Sequence, residues 1–148
     1  MGFQGVYFNS IDAKGRASIP ARFREQLKEL FEDETLVVTQ DRCGIVAYPV
    51  SEWDLFLEKF AQLPNDQFRE DLYFTTVTPA TQCAFDKQGR IQVPERHREF
   101  AGLGKDVTVV GAMDRIEIWS TAAWEAEAAE ADEYYSGIEE VLSEDGGI

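Results

Sequence analysis

Eight basic residues stand in two short windows, Lys14, Arg16, Arg22 and Arg24 in the first and Lys87, Arg90, Arg96 and Arg98 in the second. Arginine is planar, permanently charged and able to grip two oxygens or a guanine edge, and lysine adds a point charge, so such clusters suit phosphate and base contacts. Each window also holds an aspartate four residues before an arginine, Asp12 before Arg16 and Asp86 before Arg90. Across a tight turn that spacing closes a charge-assisted hydrogen bond, which predicts a structural task for the aspartates. The windows copy one another: Asp12 matches Asp86, Gly15 Gly89, Arg16 Arg90, Ile19 Val93, Pro20 Pro94, Arg22 Arg96, Arg24 Arg98 and Glu25 Glu99, all 74 residues apart. Duplication explains this.

In each copy glycine supplies a backbone angle that a Cβ would resist, and proline ends a strand and opens a helix. Asp12, Gly15 and Pro20, with Asp86, Gly89 and Pro94, therefore form a structural motif, and the eight bases are the candidates for DNA contact. On a helix Arg22 and Arg24 lie about 100° to either side of Phe23, so they border its buried stripe. The opposing reading is a solvated face, the common fate of surface Lys and Arg. One departure separates the copies. Ala13-Lys14 becomes Lys87-Gln88, moving the lysine by one residue, so the first copy is expected to bind DNA more strongly.

These windows need elements to hold them. Residues 6–11 and 17–19 read as strands on either side of the Asp12 turn, followed by a helix with Phe23, Leu27, Leu30 and Phe31 at amphipathic spacing. Residues 36–39 and 45–48 form a second hairpin around the turn at 41–44, and Ser51 with Asp54 predicts a capping box for a helix carrying Trp53, Leu57 and Phe60 on one face. Pro64-Asn65-Asp66 breaks the chain before a short helix through Phe68, Leu72 and Tyr73. The plan then repeats, with strands at 82–85 and 91–93, a helix at 94–101, and a hairpin of 107–110 with 116–119. Ser120 or Thr121 caps a last helix.

The predicted division is a first repeat at 5–53, a helical linker at 54–79, a second repeat at 80–125, and an acidic helix end with an unstructured tail at 126–148. Fourteen bases against 28 acids give a net charge of −14, which alone argues against a nucleic-acid partner. Nine of those acids lie in residues 125–148 without a base, leaving the body at only −5.

No apolar run is long enough to span a bilayer and no signal peptide is visible, so a soluble intracellular protein is expected. Met1-Gly2 lacks the Ser or Thr at the sixth position that myristoylation prefers, since Val6 stands there. Cys43 and Cys83 have no metal-ligand spacing, which predicts reduced, half-buried thiols and neither metal nor cofactor. His97, the sole histidine, stands where the first copy has Phe23 and reads as a packed residue. With no paired acids, activated nucleophile or phosphate-cradling loop, an enzyme is not expected and no catalytic residue is named.

At these residues the chain resembles the MraZ regulators of bacteria, built of two tandem units of the AbrB-like (SpoVT-AbrB) swapped-hairpin family, each with an Asp-x-x-x-Arg signature. Besides Asp12-x-x-x-Arg16 and Asp86-x-x-x-Arg90, the resemblance rests on Phe3-Gln4-Gly5, Ile19-Pro20, Arg22-Phe23-Arg24, Tyr48-Pro49, Glu52-Trp53, Ala101-Gly102-Leu103, Trp119 and Trp124, over residues 3–125. It implies an α+β fold, a pseudo-symmetric swapped-hairpin β-barrel from two repeats with outer helices. It also implies a nucleoid-associated transcription factor of the cell-division and cell-wall gene cluster, usually a repressor, binding double-stranded DNA at repeated promoter boxes as a ring-like homo-oligomer. The alternative is a ring-forming scaffold for other proteins, with the basic windows serving fold and assembly alone.

Overall fold

The computed structural model describes residues 2–41 and 44–144, with side chains described as far as Gly137. The chain is mixed α+β. It opens with β1 (Phe3–Ser10), β2 (Arg16–Ser18) and α1 (Ala21–Gln26), which widens into a π-helical turn at Leu27–Phe31. The hairpin β3 (Leu36–Asp41) and β4 (Gly44–Pro49) leads to α2 (Val50–Ala61) and α3 (Gln67–Leu72), again ending in a π-helical turn, Tyr73–Val77. The second half supplies β5 (Thr81–Cys83), β6 (Arg90–Gln92), α4 (Glu95–Ala101), β7 (Asp106–Met113), β8 (Ile116–Ser120) and α5 (Thr121–Glu144).

The strands form an open antiparallel sheet in the order β1-β7-β8-β4-β3-β5 and a separate ribbon of β2 with β6. This corrects the closed barrel expected from the resemblance. β5 has only three residues and pairs with β3, so it offers no long edge to meet the eight-residue β1. The ribbon lies over one face of the sheet, burying Ala17, Ile19, Ile91 and Val93 against Val38, Ile45, Val109, Ile116 and Ile118. Phe3, Phe23 and Leu27 complete this core. The opposite face carries Val37, Val46 and Tyr48, packed against Trp53 of α2. With both faces covered, β3 and β4 are buried almost throughout, which is why they read as continuous apolar runs.

The strands flanking the Asp12 turn also differ from a simple hairpin. Among the described residues their backbones pair only at the Ile11–Ala17 bridge, with the Asn9 amide donating to the Ser18 carbonyl at 3.0 Å, and β2 finds its strand partner in the other repeat. β1 likewise pairs with β7 of the second repeat, and β5 with β3 of the first. Leu30 is exposed, because the wide turn at Leu27–Phe31 rotates it off the face that Phe23 and Leu27 share. No capping box forms at Ser51. Pro49, held extended, precedes the first residue of α2 and no side chain caps it. A side-chain cap does form at the start of α3, where the Asp66 carboxylate accepts the Arg69 N–H at 3.0 Å.

Ser120 caps α5, accepting the Ala123 N–H at 3.1 Å. Composition pointed to a tail without structure beyond Ser136-Gly137, yet the helix continues to Glu144. Its alanine content favours helix, and no proline interrupts it. Cys83 is buried, which pushes its thiol pKa up, while Cys43 and its turn neighbour Arg42 lie outside the described residues. No described helix is long and apolar enough to cross a membrane.

His97 is fully buried at the start of α4, as its position opposite Phe23 predicts. Its Nδ1 lies 3.2 Å from Gln40 Oε1, and Gln40 reaches the Thr75 carbonyl at 3.5 Å. Thr76 donates to the Gln40 carbonyl at 2.9 Å, so the segment between repeats is fastened into the fold. Burial lowers the His97 pKa, opposed by the Pro79 carbonyl and assisted by the charge on Arg96. The unfolded chain therefore takes up the proton first as pH falls. This contribution to stability is complete above about 6.5, the ordinary imidazole value, and is lost as pH drops below it. We expect the melting temperature to fall between pH 7.5 and 5.5 and His97→Phe to flatten that fall. Parallel pH profiles for the two proteins would contradict it.

Candidate nucleic-acid interface

Each window folds around its aspartate. Asp12 Oδ1 accepts the N–H groups of Lys14 at 3.0 Å and Arg16 at 2.9 Å, and Oδ2 accepts Arg16 Nε at 2.7 Å. Asp86 repeats the pattern with Gln88 at 2.8 Å, Arg90 at 2.9 Å and Arg90 Nε at 2.9 Å. The bridge predicted from the four-residue spacing is present in both copies. Both carboxyl pKa values lie below the ordinary range, chiefly because of the Arg16 and Arg90 backbone N–H groups, with the guanidinium bonds adding to the effect. Gly15 and Gly89 adopt φ of 86° and 76°, the left-handed region that glycine enters without strain.

The two windows then close on one another. In the β2–β6 ribbon Arg16 faces Gln92, Ala17 faces Ile91 and Ser18 faces Arg90. The Ile19 N–H donates to the Gly89 carbonyl at 3.2 Å, and the Val93 N–H to the Gly15 carbonyl at 2.8 Å. Arg24 lies over the other repeat's turn, where a Cβ on Gly89 would sit 2.5 Å from its Cζ, and Arg98 stands equally close over Gly15. Their Nε atoms donate to the carbonyls of Ile19 at 3.3 Å and Val93 at 3.0 Å. Arg24 and Arg98 therefore brace the frame of the ribbon.

Strand alternation sorts the remaining side chains. Ala17 and Ile91 point into the core, while Arg16, Ser18, Arg90 and Gln92 share the outward face. Lys14 and Lys87 stand exposed on the two turns, and Arg22 and Arg96 stand exposed in the first turns of α1 and α4. All eight candidate bases thus belong to one surface around one ribbon, although the sequence separates them into two sets. Ser18 and Gln92 were missed as candidates. The signal was their alternation with the buried Ala17 and Ile91, and Gln92 carries the amide that can pair with an adenine edge.

The halves are not equivalent. Arg90 meets two acids, Asp86 at 2.9 Å and Asp12 of the other copy at 3.7 Å, while among the described residues Arg16 meets only Asp12. The Arg16 side chain is correspondingly more exposed, 35% against 24%. Gln92 also donates to the Lys14 carbonyl, tying the first turn to the second strand. Among the described residues no cluster of three His, Cys, Asp or Glu side chains could hold a metal ion.

A family described as "MraZ protein, putative antitoxin-like" matches this chain twice, over residues 3–73 and 76–141. The chain belongs to the MraZ family. The second match extends past residue 125, so the MraZ pattern reaches into α5. Among similar proteins, the transcriptional regulator MraZ of Syntrophotalea carbinolica is 50% identical over 123 residues, covering 81% of this chain and 82% of the relative. The transcriptional regulators MraZ of Pediococcus pentosaceus and Geobacter metallireducens are 41% and 38% identical, each covering 97% of this chain and 99% of the relative.

Proposed function

We propose that this chain is a sequence-specific DNA-binding transcriptional regulator that reads duplex DNA with the outward face of the β2–β6 ribbon. The observation that carries the proposal is the meeting of eight bases from both repeats around one two-stranded ribbon. A two-stranded ribbon fits the major groove, about 12 Å wide, where Arg recognises guanine and Gln recognises adenine. Arg16, Arg90, Ser18 and Gln92 would face the bases, and Lys14, Lys87, Arg22 and Arg96 the flanking phosphates. Repeats at 5–53 and 80–125 act as two halves of one reading surface, joined by residues 54–79. The names of the MraZ relatives favour regulation over a scaffold or an enzyme.

The resemblance extends the proposal to repression of the cell-division and cell-wall cluster at repeated promoter boxes, hence to the nucleoid in the cytoplasm. Ring assembly would add avidity, about 10²–10⁴-fold where several boxes are engaged together. In support of assembly, β1 leaves one edge unpaired among the described residues and exposes Val6 and Phe8. The test is a titration of duplex DNA from upstream of the protein's own gene against unrelated duplex of equal length at one salt concentration. The reading predicts clear preference for the upstream DNA; equal affinity would contradict it.

A further inference from the structure

Helix α5 leaves the sheet at Trp124, which meets Trp119 edge-on at 5.4 Å, and Ala128 is still half-buried. Every other residue from Glu125 to Gly137 is exposed. Its 24 residues give a rod about 36 Å long. Glu125, Glu127, Glu130, Asp132 and Glu133 stand on this exposed part without a base among them, and none makes an ion pair among the described residues. Glu127, Glu130 and Glu133 are neighbours at three-residue spacing, where like charges weaken a helix.

Complementary charge stands elsewhere on the same chain. Lys14, Arg22, Lys87 and Arg96 are exposed and, among the described residues, have no acid partner. Geometry keeps the two sets apart within one molecule. The ribbon covers the sheet face that carries Val109 and Ile118, whereas α5 is rooted on the other face, through Trp119 and the Thr108–Thr121 hydroxyl pair at 3.0 Å. A straight helix leaving that second face does not turn back to its own ribbon.

We propose that the acidic stretch Glu125 to Glu133 of α5 docks on the basic ribbon face of a second copy of this chain, occupying it in competition with DNA. The competition rests on the DNA-binding reading above; the docking itself does not. Carboxylates on one side and guanidinium and ammonium groups on the other gain charge-assisted hydrogen bonds in the contact, and added salt weakens it. The acidic end thereby becomes a brake on DNA binding that tightens with protein concentration.

Zero-length coupling tests the docking directly. A carbodiimide joins a carboxylate and a lysine amine as an amide with loss of water, and mixing unlabelled with ¹⁵N-labelled full-length chain distinguishes links between copies from links within one. Without DNA and at low salt, the expected products are inter-chain links from Lys14 or Lys87 to Glu125–Glu133. They should disappear near 1 M salt, where the screening length is about 3 Å. Links confined to one chain, absent, or spread evenly over Lys28, Lys59 and Lys105 would overturn the proposal. A full-length variant with Glu125, Glu127, Glu130 and Glu133 changed to Gln and Asp132 to Asn should lose these links and bind DNA about tenfold tighter at low salt. Links that form in a protein without DNA affinity would leave docking standing and sink the DNA reading. DNA binding without the links would sink docking alone.

Discussion

Phe23→Ala is expected to lower the free energy of unfolding by about 3–5 kcal/mol, the range for deleting a fully enclosed phenylalanine. Phe23 has no exposed surface and meets Phe3 edge-on at 5.5 Å and Tyr7 at 5.2 Å; Phe3 in turn stacks on Phe31 at 5.9 Å. Alanine would remove the ring shared by β1 and α1, and the surrounding strands are hydrogen-bonded on too many sides to collapse into the void. The functional link is short. Phe23 seats the helix on which Arg22 and Arg24 flank it, so its loss also loosens one quarter of the basic surface. Urea unfolding followed by circular dichroism would show a lower midpoint at unchanged slope. A loss below about 1 kcal/mol would mean the site relaxes, and that Phe23 does not anchor α1.

Arg16→Ala should weaken DNA binding by about 1–3 kcal/mol, roughly 5- to 150-fold, with less effect on stability than Arg90→Ala. Removing Arg16 leaves the Asp12 carboxylate still accepting the Lys14 backbone N–H and within reach of Arg90, so the turn keeps its shape. It also leaves a less compensated negative charge facing phosphate. Arg90 is more enclosed and joins Asp86 to Asp12, hence one repeat to the other. Its substitution loosens the frame first, and the affinity change is smaller in protein that remains folded. Equal losses of affinity with equal melting temperatures would show that the two copies contribute alike.

Much of this was legible in the residues themselves. Asp and Arg four apart, with glycine between and proline after, dictate a turn closed by its own ion pair, and both copies have it. The buried His97 followed from its place opposite Phe23. The partner of each strand was not legible. A three-residue strand such as Arg16–Ser18 has an in-out pattern but too little length to specify whom it pairs with, and the Val93–Gly15 and Ile19–Gly89 bonds join residues 78 and 70 positions apart. Local spacing cannot express such contacts. For the same reason the windows read as two separate clusters when they lie around one ribbon. The wide turn at Leu27–Phe31 escaped because a 3.6-residue period assumes an unbroken α-helix, and the absent capping box because α2 begins at Val50, so that Pro49 and not Ser51 holds the cap position.

The central claim is that the ribbon face contacts DNA, and the most direct measurement is the salt dependence of binding to upstream duplex for the unaltered chain and for Arg16→Ala. Each phosphate contact contributes about 0.9 to the slope of log K against log salt. Because Arg16 is assigned to a base edge, affinity should fall at every salt concentration with the slope kept, while the circular dichroism spectrum and solution mass stay unchanged. A slope lowered by about that amount would move Arg16 to a phosphate on the same face. A variant that binds as tightly as the unaltered chain, with the same slope, would contradict the assignment of this face to DNA.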